Sequence, residues 1–138
     1  MLTFCWTIFS GQTIDFNQLT GTWYCYKATQ GATDMTEIYR DHYSTFNPDL
    51  TYIEERRYYY NTYTCTYKLD KKTKTIAFQG GVSTTKYPNA RVPMQDLVQY
   101  FGIQNEIIVS LDKDNLVVLL KKGGELQGDT KLFYRRGK

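Results

Sequence analysis

Apolar and polar side chains alternate with a period of two along most of this chain. The cleanest stretch is Thr62–Leu69, where Tyr63, Cys65, Tyr67 and Leu69 fall on one face and Thr62, Thr64, Thr66 and Lys68 on the other. Such alternation puts one face in a core and the other in water, as in an antiparallel sheet. The same pattern predicts a first strand through Trp23 and Lys27 that ends near Gln30-Gly31. Trp23 and Cys25 lie on one of its faces, Tyr24 and Tyr26 on the other. His42–Phe46 reads as a strand, Asn47-Pro48-Asp49 as a turn in which Pro48 cannot donate to a ladder, and Leu50–Tyr60 as the next strand. Asp70–Thr73 turns the chain again, and Thr75–Phe78 is a short strand closing on Gly80-Gly81. Glu106–Leu111, Leu116–Leu120 and Thr130–Arg136 complete the series, the first two joined by an Asp112–Asn115 turn. About eight strands with short links is the count of a small up-and-down barrel. Closure removes sheet edges, which otherwise invite aggregation.

Two stretches depart from the alternation. Residues 32–39 fit either a capped helical turn at Thr33-Asp34 or a loop over a barrel mouth. Residues 82–102 contain Pro88 and Pro93 and read as a loop, with Met94, Leu97, Val98 and Phe101 at the i, i+3, i+4, i+7 spacing of a helical turn. That turn would plug one end of the core or border a pocket as a lid. The expected fold is therefore all-β: an eight-stranded antiparallel up-and-down barrel with a short helical or loop plug. The barrel domain is expected over residues 16–138. Residues 1–15 form an N-terminal arm or the remnant of an export signal, since Leu2 to Phe9 is an apolar patch followed by Ser10-Gly11. An extracytoplasmic or secreted location follows from the export reading, and a cytoplasmic one from an arm packed on the domain. No apolar run approaches the ~18 residues of a transmembrane helix.

Composition adds limits. The 138 residues suit one domain with a real core. Thirteen tyrosines favour strands and supply rings with polar tips for a half-wet wall. A net charge of +3 on scattered basic residues gives no footprint for nucleic acid. Cys5, Cys25 and Cys65 show no paired spacing and a single histidine, His42, accompanies them, so neither a metal site nor a cofactor is expected. Cys25 and Cys65 read as buried thiols, a bridge between them being the alternative.

Near the start, Phe16-Asn17-Gln18-Leu19-Thr20 leads into Gly21-Thr22-Trp23. The glycine allows a positive φ or a close approach, and the indole brings apolar area with one N–H that needs an acceptor. With the strand series and the terminal Arg135-Arg136, this chain resembles the lipocalin family. It is most similar to compact bacterial lipocalin-like domains, through Thr45–Tyr52, Tyr63–Asp70 and Ile107–Leu111 before an Asp-rich turn. The resemblance implies that Trp23 sits at the closed end of the barrel, behind Gly21, with a guanidinium from Arg135 or Arg136 across it. It also implies a calyx for a small hydrophobic molecule such as a fatty acid or isoprenoid.

Within such a calyx the inward residues Tyr52, Tyr63, Cys65, Tyr67 and Phe78 would form the wall, with Arg56 orienting a ligand carboxylate. Glu54 and Arg56 share the face of Tyr52, Tyr58 and Tyr60, and exposed cross-strand pairing is the plain reading of that charge pair. Catalytic residues are not assigned. An isomerase or cyclase would need Glu54, Asp41 or His42 inside the pocket with a shifted pKa. A filled barrel would instead offer Tyr58-Tyr59-Tyr60 to a partner.

Overall fold

The computed structural model describes residues 13–89, 92–100, 103–121 and 128–137. Cys5, the apolar N-terminal patch and Phe101 lie outside them. The strands are β1 (Gly21–Gln30), β2 (Thr33–Asp34), β3 (His42–Phe46), β4 (Thr51–Arg56), β5 (Asn61–Asp70), β6 (Thr75–Asn89), β7 (Val92–Tyr100), β8 (Glu106–Leu111), β9 (Asn115–Leu120) and β10 (Thr130–Arg136). Eight of them, in the order β1-β3-β4-β5-β6-β8-β9-β10, pair antiparallel, and β10 pairs back onto β1 to close the ring. The expected eight-stranded up-and-down barrel is thus present. β2 and β7 hang on β1 and β6 outside that ring.

The pattern of inward residues follows the alternation. Trp23 and Cys25 on β1, Phe46 on β3, Tyr52 on β4, Cys65 and Tyr67 on β5, Ile76 on β6, Ile108 on β8, Leu116 and Val118 on β9, and Leu132 and Tyr134 on β10 are all buried. A bulge between Cys25 and Lys27 shifts the phase of β1, so Ala28 turns inward in place of Lys27. The turns 47–50, 70–74 and 112–114 gather at one end with the 3-10 turn Phe16–Leu19, whose N-cap Asp15 accepts from the Asn17 N–H. At the other end lie β2, the 3-10 turn Thr36–Tyr39 and the β6–β7 hairpin.

Three expectations need correction. β4 stops at Arg56, because the chain enters a 3-10 turn at Arg57–Tyr59 and Tyr60 takes a left-handed conformation with φ 57°. Tyr58 and Tyr60 consequently leave the face of Glu54, and they and Tyr59 are exposed. The expected short strand at Thr75–Phe78 runs on to Asn89, bending at Gly80, whose φ of +57° suits a residue without a Cβ. The helical or loop plug over 92–101 is absent: residues 92–100 form β7, paired with β6 from Val82↔Tyr100 to Asn89↔Val92. Backbone pairing overrides the helical spacing there. Pro88 sits at the register shift between Tyr87 and Asn89, a place where a missing N–H is tolerated. The only helical turns among the described residues are short 3-10 segments.

The ring is fastened at the closed end. Arg136 lies over the Trp23 indole, 3.8 Å from the ring to the guanidinium carbon. It donates to the carbonyls of Thr20 (2.9 Å), Gln18 (2.5 Å) and Lys113 (3.1 Å). The indole N–H donates to Leu19 O at 2.8 Å. Gly21, at φ +125°, makes room for this: a Cβ there would stand 2.7 Å from Arg136 Nη1. Arg135 points to the outer face and stacks on Tyr26 at 4.0 Å. Cys25 and Cys65 are both free thiols.

Candidate functional site

The residues expected to line a calyx divide into two groups. Toward the closed end, Phe46, Tyr52, Tyr67 and Phe78 pack on one another, with ring centroids 4.9 Å apart for Phe46–Tyr52, 5.2 Å for Phe46–Tyr67 and 4.5 Å for Tyr52–Phe78. Tyr67 also donates to Asn47 O at 3.0 Å, which fixes its ring. This half of the interior is occupied by its own side chains. Toward the other end, Arg56 stacks on Tyr63 at 4.6 Å and Cys65 lies beneath, 7% exposed.

Between these groups runs a buried polar network. Glu54, 4% exposed, accepts from Arg56 Nε at 2.9 Å through one carboxylate oxygen and from the Tyr52 hydroxyl at 2.9 Å through the other. The Tyr52 hydroxyl lies 2.9 Å from Ser44 Oγ, which is 3.4 Å from the Tyr134 hydroxyl. The Tyr134 hydroxyl is 3.3 Å from His42 Nε2, and His42 Nε2 is 3.8 Å from Glu54 Oε1. The loop of contacts closes on itself across β3, β4 and β10. The exposed pairing expected of Glu54 and Arg56 is therefore overturned: alternation sends both inward, and the carboxylate is buried. Asp41, the other acid considered for catalysis, is exposed in a turn at φ 53°.

A second acid faces the same interior. Glu106, also 4% exposed, opens β8 opposite Ile76 of β6. Its carboxyl has no hydrogen-bond or ion-pair partner among the described residues. Its position is a seam. β6 pairs β8 only at Thr75↔Ile107 and Ile76↔Glu106 before turning away to pair with β7. Beyond that point the Phe78 N–H donates to the Asn105 side-chain oxygen at 3.2 Å. Sequence reading missed Glu106 because Ile107-Ile108-Val109 is apolar throughout and hides the facing of the residue before it. The buried state of Ile108 sets that facing.

Electrostatics separate the two acids. Burial raises the Glu54 carboxyl, but His42, Arg56 and the Tyr52 hydroxyl outweigh it and hold it below the usual carboxylate range. Burial, with Glu54 as a negative neighbour, pushes Glu106 up to about 8. Burial lowers His42, so its imidazole is neutral near pH 7. The cluster thus offers an ionised acid with a fixed cation, a protonated acid without a partner, a neutral imidazole and two phenols. That set can donate to or accept from one polar group, and the His42–Tyr134 contact can hold a proton. Groups that could together hold a metal ion are not found among the described residues.

A surface depression of about 240 Å³ at the β4–β5 junction is lined by Arg57, Tyr60, Asn61, Thr62 and Lys86, and contains none of the residues expected to line the barrel. Among the described residues, no helix is long and apolar enough to cross a membrane.

The architecture defines a class: closed eight-stranded antiparallel barrels, compatible with a lipocalin-like fold. No family model matches this chain, and neither a curated protein nor a solved structure matches it.

Proposed function

We propose that this protein is a lipocalin-like binding module that takes a small amphipathic molecule inside the barrel. The observation that carries this reading is the partnerless Glu106 carboxyl, buried on the inner wall beside the Glu54 network. A buried acid without a partner costs stability, and a site that binds a polar group is one place where such a cost is retained. The apolar part of the ligand meets the Tyr63 ring and Cys65, above the packed rings of Phe46, Tyr52, Tyr67 and Phe78, and the polar part meets the cluster. Gly21, Trp23 and Arg136 support the family likeness, since they form the clamp it implies. Export to an extracytoplasmic compartment belongs to the same proposal, and a mass spectrum of the mature protein tests it.

A Trp6→Phe variant leaves Trp23 as the only indole. Its fluorescence is titrated with fatty acids, retinoids, haem, a short alcohol and a short amine. Saturable change with at least one is expected. Flat responses throughout would favour the second reading, a filled barrel acting as an interaction domain, which the packed rings of Phe46, Tyr52, Tyr67 and Phe78 support.

A further inference from the structure

Acids outnumber cations on the inner wall. Glu54 and Glu106 both face inward, and the one guanidinium beside them, Arg56, is committed to Glu54 at 2.9 Å and to the Tyr63 ring at 4.6 Å. Glu106 feels the charge of Glu54 from β4, and its own charge bears on Tyr52 from β4, Cys25 from β1, Tyr39 from the turn before β3, Cys65 from β5 and Tyr134 from β10. Each of these is either negative already or neutral and able to become only negative. His42 faces Glu54 and is neutral by burial. A carboxylate ligand brought here would meet like charge, against the expectation of a fatty acid. A cation would meet an acid that lacks a hydrogen-bond or ion-pair partner among the described residues.

We propose that the polar group held by the barrel is a protonated amine, paired with Glu106. This rests on the binding reading above and specifies the class of ligand. The exchange balances as follows: the neutral Glu106 carboxylic acid meets an alkylammonium ion, an ammonium–carboxylate pair forms, and the carboxyl proton leaves to solvent. One proton is released for each amine bound at neutral pH, where Glu106, raised to about 8, is protonated beforehand. No proton moves when a neutral ligand of the same shape binds.

The test is calorimetric titration of the full chain with hexylamine and with hexan-1-ol. It is run at about pH 7 in two buffers of different ionisation heat. The amine should bind about tenfold or more tightly than the alcohol, as a close buried charge pair allows, with close to one proton released. Amine affinity should climb about tenfold per pH unit between 6 and 8 as the proton no longer has to be displaced, following linkage, while alcohol affinity stays level. Glu106→Gln should lose the amine preference and the proton release but keep the alcohol affinity. If Glu106→Gln does not fold, the wild-type proton count and pH profile decide alone. Equal or tighter alcohol binding, or no proton release, overturns the amine assignment and leaves the binding reading intact. Absence of binding by both probes, with a flat fluorescence panel, overturns both.

Discussion

At the scale of single residues, one guanidinium joins the first strand to the last. Arg136 gives three hydrogen bonds to carbonyls and stacks on Trp23. Those carbonyls are near water and can be resolvated, so the bonds do not sum at full value. Arg136→Ala should cost about 2–3 kcal/mol in urea unfolding. Arg136→Lys should recover less than half, because an ammonium lacks the fork that spans three acceptors. Gly21→Ala should cost about 2 kcal/mol, from strain at φ +125° and from a Cβ 2.7 Å from Nη1. The two changes together should cost less than their sum, since Arg136→Ala removes the clash. An additive result would place the whole Gly21 cost in the backbone. Glu106 carries a separate signature in pH. Its carboxyl titrates near 4.5 when unfolded and at about 8 when folded, so the folded state binds the extra proton between those values. Its contribution to stability is complete below about pH 4.5 and is lost as pH rises toward 8. At about 1.4 kcal/mol per unit the loss has an upper bound of about 5 kcal/mol. His42, lowered by burial, acts oppositely and only below its ordinary value of 6.5. Between pH 6.5 and 8, then, Glu106→Gln should gain stability relative to the parent, by urea unfolding at each pH. A parallel pair of profiles would show that Glu106 is ionised in the fold.

At the scale of elements, legibility depended on whether a core imposed the period. β5 and β10 were readable because each alternates between a buried and a wetter face, β8 because its apolar run ends at an Asp-rich turn, and β8 and β10 fall on their expected residues. β7 was not readable. It stands outside the ring, and over its end, residues 98–100, Val98 and Tyr100 are 61% and 89% exposed, so no buried face marks a period of two in those residues. The helical spacing of Met94, Leu97 and Val98 then carried no structural meaning. β4 was overextended because Arg57-Tyr58-Tyr59-Tyr60 continues its aromatic run, and nothing in those side chains announces the 3-10 turn or the positive φ of Tyr60. Of the candidate site, Glu54 and Arg56 could be placed on the face of Tyr52. Their meeting with His42 and Ser44 rests on the β3–β4 register, His42↔Arg56 and Ser44↔Glu54, and their meeting with Tyr134 could not be read, because it needs β10 brought against β1 by closure. The β6–β8 seam likewise has no sequence signal. Its side-chain patch, Asn105 onto the Phe78 N–H, predicts that Asn105→Ala costs about 0.5–1 kcal/mol. Amide exchange at Phe78 should accelerate while β5 amides away from the seam keep their rates. Uniform acceleration would mean that the seam does not open by itself.

At the scale of the whole molecule, closure makes the two inward thiols reporters of the ring. Cys25 projects from β1, 3% exposed, and Cys65 from β5, 7% exposed, with strands between them on either side. Burial pushes Cys25 up to about 12 and Cys65 up to about 11, so near pH 8 both are protonated as well as covered. Only a thiolate attacks an alkylating reagent, and neither group supplies one in the folded state. In a Cys5→Ser variant, iodoacetamide should therefore leave the native protein unlabelled over times that fully label it in urea, where two adducts should appear by mass. The slow native rate then measures opening. Apart from the β6–β8 seam the ring has no free edge from which to peel, so separating β10 from β1 should expose the interior to both cysteines at once. Arg136→Ala weakens that junction by about 2–3 kcal/mol, and at about 1.4 kcal/mol per tenfold its opening should become roughly 30- to 150-fold more frequent. Both labelling rates should rise by that same factor. If Cys25 alone gains reactivity, β1 frays from β10 while the remaining strands hold, and the ring behaves as an open sheet with a latch instead of one cooperative cylinder.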